Sequence, residues 1–308
     1  MNASATTYLF SPPAPPSIAI VGSDARFPVR RIFCIGRNYE EHAREMKATV
    51  SLDAPVFFCK PADAIVTDGA DVPYPSITTD LHHEVELVVA LQSGGRDLDA
   101  VAAHATIYGY AVGLALTRRD LQAQAKSRGT PWDTAKGFDA SAPIGAITPA
   151  TQCGHPDHGE LRLDINGETR QRADIATMVM KVTDILVSLS TYFELRAGDL
   201  LYTGTPAGVA ALHRGDVFAA GAVLAQVDAP DLGQAATGGT LGTHFAAGLM
   251  LRLDVFEPAV QRAWDQQMGV NHSYVFAEYV RSDLSGLGAR PQLRLGTETW
   301  NVGLAMEF

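Results

Sequence analysis

Glu84-Val85-Glu86 stands at the head of an apolar run from Leu87 to Leu91. Side chains two apart on a strand point to one face, so the two carboxylates would converge. Like charges that close are costly unless a cation sits between them. Hard oxygen donors of this kind suit Mg2+, Mn2+ or Ca2+ better than zinc. His82 would share the face. An isolated pair of this pattern is usually a solvated strand face, but the buried-looking run after Glu86 argues against exposed acids.

His42 and Glu45 lie three apart in a short helical stretch and so share one face. A carboxylate beside an imidazole raises its basicity and fixes its orientation, as a general base for water requires. The same spacing is also common as a plain surface pair. Lys136 lies between Trp132 and Phe138 in WDTAKGFDASAP. There an ammonium could hold a carboxylate or stabilise an enolate oxygen, or simply snorkel to the surface. Thr203-Gly204-Thr205-Pro206 closes a strand in a sharp turn able to offer N–H groups and a hydroxyl to an oxyanion; it could equally be an ordinary turn. No serine elbow, nucleotide-binding glycine motif or CxxC pair is present.

The elements that must position these groups follow from periodicity. Arg31–Gly36, Val56–Lys60 and His83–Leu91 read as strands. Ile107–Leu114 is a fourth, leading into a helix at Thr117, with Thr117 and Asp120 spaced as a capping pair. LRLDI, Asn166-Gly167 and ETRQ predict a hairpin. Val182, Ile185, Leu186, Leu189 and Phe193 fall at helical spacing, and the strand LLYTG follows. Strands joined now by hairpins, now by helices, predict an α+β fold. Residues 1–26, with the proline-rich PPAPP, read as an N-terminal arm; residues 27–219 read as the catalytic domain. Residues 220–308, rich in Ala, Gly and Thr and then in alternating strand-like segments, read as a β-rich extension.

The net charge of −10 with 19% charged residues argues against a nucleic-acid or anionic-membrane partner. A few local cations could still hold an anionic small molecule. Cys34 and Cys59 lie in apolar strand-like runs and are expected as buried free thiols; with Cys153 they make an odd, widely spaced set. His155 and His158 read as exposed loop residues. Without a signal-like N-terminus or a membrane-length apolar run, the expected location is cytoplasmic.

Taken in order, GRNYEEHAREM, FFCKPADAIV, DLHHEVELVVAL, GYAVGLALTRRDLQ, KGFDASAP, INGETRQ and LRAGDLLYTGTPAGV resemble the fumarylacetoacetate hydrolase family, from about Phe27 to Asp216. PVRRIFCIGRNY and TRRDLQ…PWDTAKGFD are most similar to its fumarylpyruvate (acylpyruvate) hydrolases. The resemblance implies a mixed β-sheet roll with flanking helices, a homodimer and a bound Mg2+ or Mn2+. It implies Glu84 and Glu86 as metal ligands, His42 with Glu45 as the water-activating dyad, and Lys136 as the substrate-polarising lysine. Thr205 would lie near the substrate, with Arg37, Arg119 and Gln122 on its carboxylates. The expected reaction is hydrolysis of the carbon–carbon bond of an acylpyruvate, fumarylpyruvate giving fumarate and pyruvate. Alternatives are a decarboxylase or tautomerase acting on oxaloacetate, or a catalytically dead paralogue binding a small diacid.

Two departures stand out. Ala115 occupies the position of the family's third metal ligand, an aspartate, so weakened metal binding and slowed or absent turnover are expected. The extension does not resemble the family.

Overall fold

A computed structural model describes residues 8–46, 55–225, 243–252, 272–283 and 296–307, with side chains described through residue 222. The chain divides into two compact units, Met1–Val227 and Asp228–Phe308.

The first unit is built on a six-stranded mixed sheet. Its strands run in the order Thr148–Pro149, Ile107–Leu114, Val85–Leu91, Asp199–Tyr202, Arg31–Gly36, Val56–Lys60. Asp199–Tyr202 pairs in parallel with Arg31–Gly36; the other pairings are antiparallel. Both faces are covered, which is why the central strands read as unbroken apolar runs. On one face Phe33, Leu87, Val89 and Leu201 belong to the same core as Ile185, Leu186 and Leu189 of helix Val182–Tyr192. On the other, Ile32, Cys34, Val88, Ala111, Leu200 and Tyr202 form a second core. Each fully enclosed aliphatic side chain contributes about 1.5–3 kcal/mol. The carboxylates of Glu84 and Glu86 belong to the second face by strand parity.

Strands His158–Ile165 and Glu168–Asp174 form the expected hairpin, with Asn166 and Gly167 both at positive φ (52° and 78°) as a two-residue turn requires. His158–Ile165 also pairs along its whole length with Phe218–Ala225. A domain boundary at 219/220 therefore falls inside a paired strand, and the division comes after Val227 instead. The stretch read as an N-terminal arm contains a hairpin of Ser17–Ile20 with Ser23–Pro28, and Ile18 is fully enclosed in the second core.

Three local expectations are corrected. Thr117 and Asp120 do not cap a helix: Thr117–Arg118 pairs as a short strand with Leu81–His82, which delays the helix to Arg119–Arg128. Thr117 Oγ1 instead donates to the Ala115 carbonyl, and Asp120 accepts from Thr78 Oγ1. Cys59 is exposed rather than buried, because Val56–Lys60 is the sheet's edge strand; Cys34, on an inner strand, is buried. His155 is not a free loop residue: its ring lies 4.0 Å from that of His104, and Nδ1 is 2.9 Å from the Tyr110 hydroxyl.

In the second unit, Thr243–Arg252, His272–Asp283 and Gly296–Glu307 form an antiparallel three-stranded meander. Residues 253–271, 284–295 and 308 of the extension lie outside the described residues. Among the described residues no helix is long and apolar enough to cross a membrane.

Candidate active site

One pocket gathers Arg37, His42, Glu84, Glu86, Arg119, Gln122, Lys136 and Thr205, together with Lys126 and Trp132. Glu45 stands behind His42. Apart from His82, the candidate site residues read from the sequence thus come to one place from five separate segments.

His42 sits on helix Glu40–Glu45, its Nδ1 3.2 Å from Glu45 Oε2. Burial pushes the imidazole's pKa below its usual value, against the upward pull of Glu84 and Glu45. The neutral base is therefore its resting form at neutral pH. The helix is anchored through buried Asn38, whose amide donates to the Met180 and Thr203 carbonyls and accepts from the Met180 N–H. Beside it Arg37 is held at a φ of 63°, a left-handed backbone that costs a non-glycine residue about 1–2 kcal/mol. Such strain persists where surrounding contacts impose it.

Glu84 and Glu86 are both buried, but their surroundings differ. Glu84 Oε1 accepts from Arg119 Nη2 at 2.6 Å and Oε2 from Lys136 Nζ at 2.7 Å. Burial would raise its pKa, yet the two cations outweigh burial and hold the carboxyl well below the usual range. Glu86 has no ion-pair partner among the described residues; Oε2 accepts from the Gly204 N–H at 2.7 Å. Burial and then the neighbouring Glu84 push it up to about 8. Gly204 can supply that N–H because its φ is 91°, and a Cβ there would approach Asn38 Cβ to 2.8 Å.

His82 does not line the pocket. Its Nε2 is 2.7 Å from Asp80 and its Nδ1 3.4 Å from Arg119 Nε. It shares the strand face by parity but is drawn aside by Asp80. The described residues hold no cluster of three or more His, Cys, Asp or Glu side chains able to grip a metal. The two glutamates still fit a hard divalent ion in part: Glu86 is a buried carboxylate lacking a cation, and an ion there would relieve its repulsion from Glu84.

Three supporting residues were not recognised from sequence. Buried Gln171 accepts from His83 Nδ1 and Val85 N–H and donates to Thr205 Oγ1 and the Pro206 carbonyl, tying the glutamate strand to the TGTP turn. Lys60, also buried, donates to the main-chain carbonyls of Leu116 and Lys136, and burial lowers its pKa to about 8. Lys126, exposed and lining the pocket, lies 5.4 Å from the Trp132 ring centroid. Gln171 lies in a strand polar but for Ala173, ETRQRAD, where no apolar alternation marks the buried position. Lys60 could have been suspected as a cation closing the apolar run VFFC.

The β-roll architecture and this pocket define a family. Residues 31–238 match the family model described as fumarylacetoacetate (FAA) hydrolase C-terminal, and the chain belongs to that family. A fumarylpyruvate hydrolase from Pseudomonas aeruginosa, solved in complex with Mn2+ and pyruvate, is 49% identical over 70% of this chain and 94% of its own, with a TM-score of 0.68. Mitochondrial oxaloacetate tautomerase FAHD1 of Rattus norvegicus is 40% identical over 62% of this chain and 86% of its own length. Fumarylpyruvate hydrolase of a Ralstonia species is 41% identical over 54% of this chain and 86% of its own length.

Proposed function

We propose that this protein hydrolyses the carbon–carbon bond of an acylpyruvate, with fumarylpyruvate as its substrate. The observation that carries the reading is the His42–Glu45 pair in the pocket beside Glu84, Lys136 and Arg119. Hydrolysis needs a base for water; decarboxylation of a 2-oxo acid does not. The likeness to fumarylpyruvate hydrolases supports the same substrate class.

Glu84 and Glu86 would hold Mg2+ or Mn2+, the ion present in the P. aeruginosa relative being Mn2+. Such an ion supplies Lewis acidity toward the oxygens of a 2-oxo acid. The protein's own groups then divide the work. His42, neutral and oriented by Glu45, takes the proton of a water whose oxygen attacks the acyl carbonyl. The carbon–carbon bond breaks, its electron pair passes to the departing pyruvate enolate, and a proton completes pyruvate. Lys136 offers positive charge to the developing enolate oxygen. Arg119 and Gln122 orient the pyruvate end, and Thr205, held by Gln171, borders it.

A second reading, oxaloacetate tautomerase, is favoured by the FAHD1 relatives, similar in identity to the Ralstonia hydrolase. In both readings Ala115 leaves the ion one carboxylate short, and slow turnover is expected. The test is the initial rate of fumarylpyruvate loss and of oxaloacetate enol–keto conversion, each with excess Mg2+ or Mn2+. Cleavage supports the hydrolase; enol–keto conversion without cleavage overturns it in favour of the tautomerase.

A further inference from the structure

The pocket's four Arg and Lys side chains are not equally available to a ligand. Arg119 is engaged at every nitrogen: Nη2 with Glu84, Nη1 with Gln122 Oε1 at 2.7 Å, and Nε with His82. Lys136 is paired with Glu84. Arg37 and Lys126 also line the pocket but have no hydrogen bond or ion pair among the described residues.

Lys126 lies seven residues after Arg119 and four after Gln122 on helix Arg119–Arg128, so all three share one helical face. The indole of Trp132 lies beside its ammonium. Burial, then repulsion from Arg119, Arg37 and Lys136, lowers its pKa. Arg37 is held in its left-handed backbone conformation at the same pocket. Two cations that line one pocket without a partner among the described residues repel each other, and an anion between them relieves that repulsion.

We propose that Lys126 joins Arg37, which the family resemblance already sets on a substrate carboxylate, in a subsite for the carboxylate at the far end of the acyl group. The site would thereby select acylpyruvates whose acyl chain ends in an acid over those ending in a methyl. This rests on the acylpyruvate reading and adds Lys126 as a residue that sets chain-end specificity. Arg119, committed to Glu84 and Gln122, serves the pyruvate end.

The test compares fumarylpyruvate with acetylpyruvate, which lacks the distal carboxylate, on the full chain and on Lys126→Met, Lys126→Arg and Arg128→Met. The readout is the ratio of kcat/KM for the two compounds, or of Kd where a compound binds without turnover. The ratio is expected to fall about tenfold or more in Lys126→Met, the scale of a hydrogen bond to a charged group. It should recover in Lys126→Arg and stay unchanged in Arg128→Met, whose side chain does not line the pocket. An unchanged ratio in Lys126→Met, or an equal fall in Arg128→Met, overturns the subsite. If the unaltered chain neither binds nor cleaves either compound, the acylpyruvate reading itself fails.

Discussion

Ala115 faces Glu84 across the sheet: its N–H donates to the Glu84 carbonyl at 2.8 Å, continuing the register that pairs Val85 with Leu114 and Glu86 with Gly113. Residues opposite each other on antiparallel strands project to one face. A carboxylate at position 115 would therefore stand on the face of Glu84 and Glu86. Ala115→Asp is expected to tighten Mn2+ binding and raise cleavage about a hundredfold, the scale of correcting a misplaced reacting group. Calorimetric titration with Mn2+ and initial rates on the pair of proteins check this; equal affinities would overturn the role assigned to Ala115.

Glu86 supplies a pH signature. Its folded pKa of about 8 lies above the ordinary carboxyl value, so its contribution to stability is full below that ordinary value and is lost as pH rises through about 8. The thermal midpoint of chelator-treated protein should decline across that window, and Glu86→Gln should flatten the decline. Ion binding should release a proton at pH 7, detectable as a buffer-dependent heat.

With His42 as the proposed base, its titration is expected to set the acid limb of activity. Its lowered pKa places that limb below the usual histidine value near 6.5. Glu45→Gln removes a charge that raises the imidazole's pKa, so the limb should move to still lower pH while kcat falls about ten- to a hundredfold. A pH–rate profile that stays in place would show that Glu45 does not tune His42.

Lys60 is the buried link between the Ala115–Leu116 segment and Lys136. Lys60→Met leaves the Leu116 and Lys136 carbonyls without that donor. Each buried acceptor left unpaired costs about 1–3 kcal/mol. A lowered denaturation midpoint and a larger loss in kcat than in affinity for pyruvate are expected; an unchanged midpoint would contradict the tether.

Much of this was legible in the residue order. The central strands were readable because burial on both faces makes them continuously apolar, and the Asn166-Gly167 turn because few residues tolerate its backbone. Glu84 and Glu86 were legible as a same-face pair. What the sequence hid was the competition between long-range partners. Nothing local says that Thr117 pairs with His82 rather than capping a helix, or that Asp80 draws His82 away from the glutamates. Nor does spacing reveal that Arg119 pairs with Glu84 while Lys126 has no such partner among the described residues, since that depends on three segments meeting.

The pairing of Phe218–Ala225 with His158–Ile165 bears on how the two units could be separated. A chain cut at residue 219 would lose most of a strand and leave the backbone of His158–Ile165 as an open edge. Unpaired edges of that length recruit other chains, so such a fragment would be expected to aggregate whatever the state of its pocket. A cut after Val227 keeps that edge covered, and is where the first unit should be severed to study its chemistry alone.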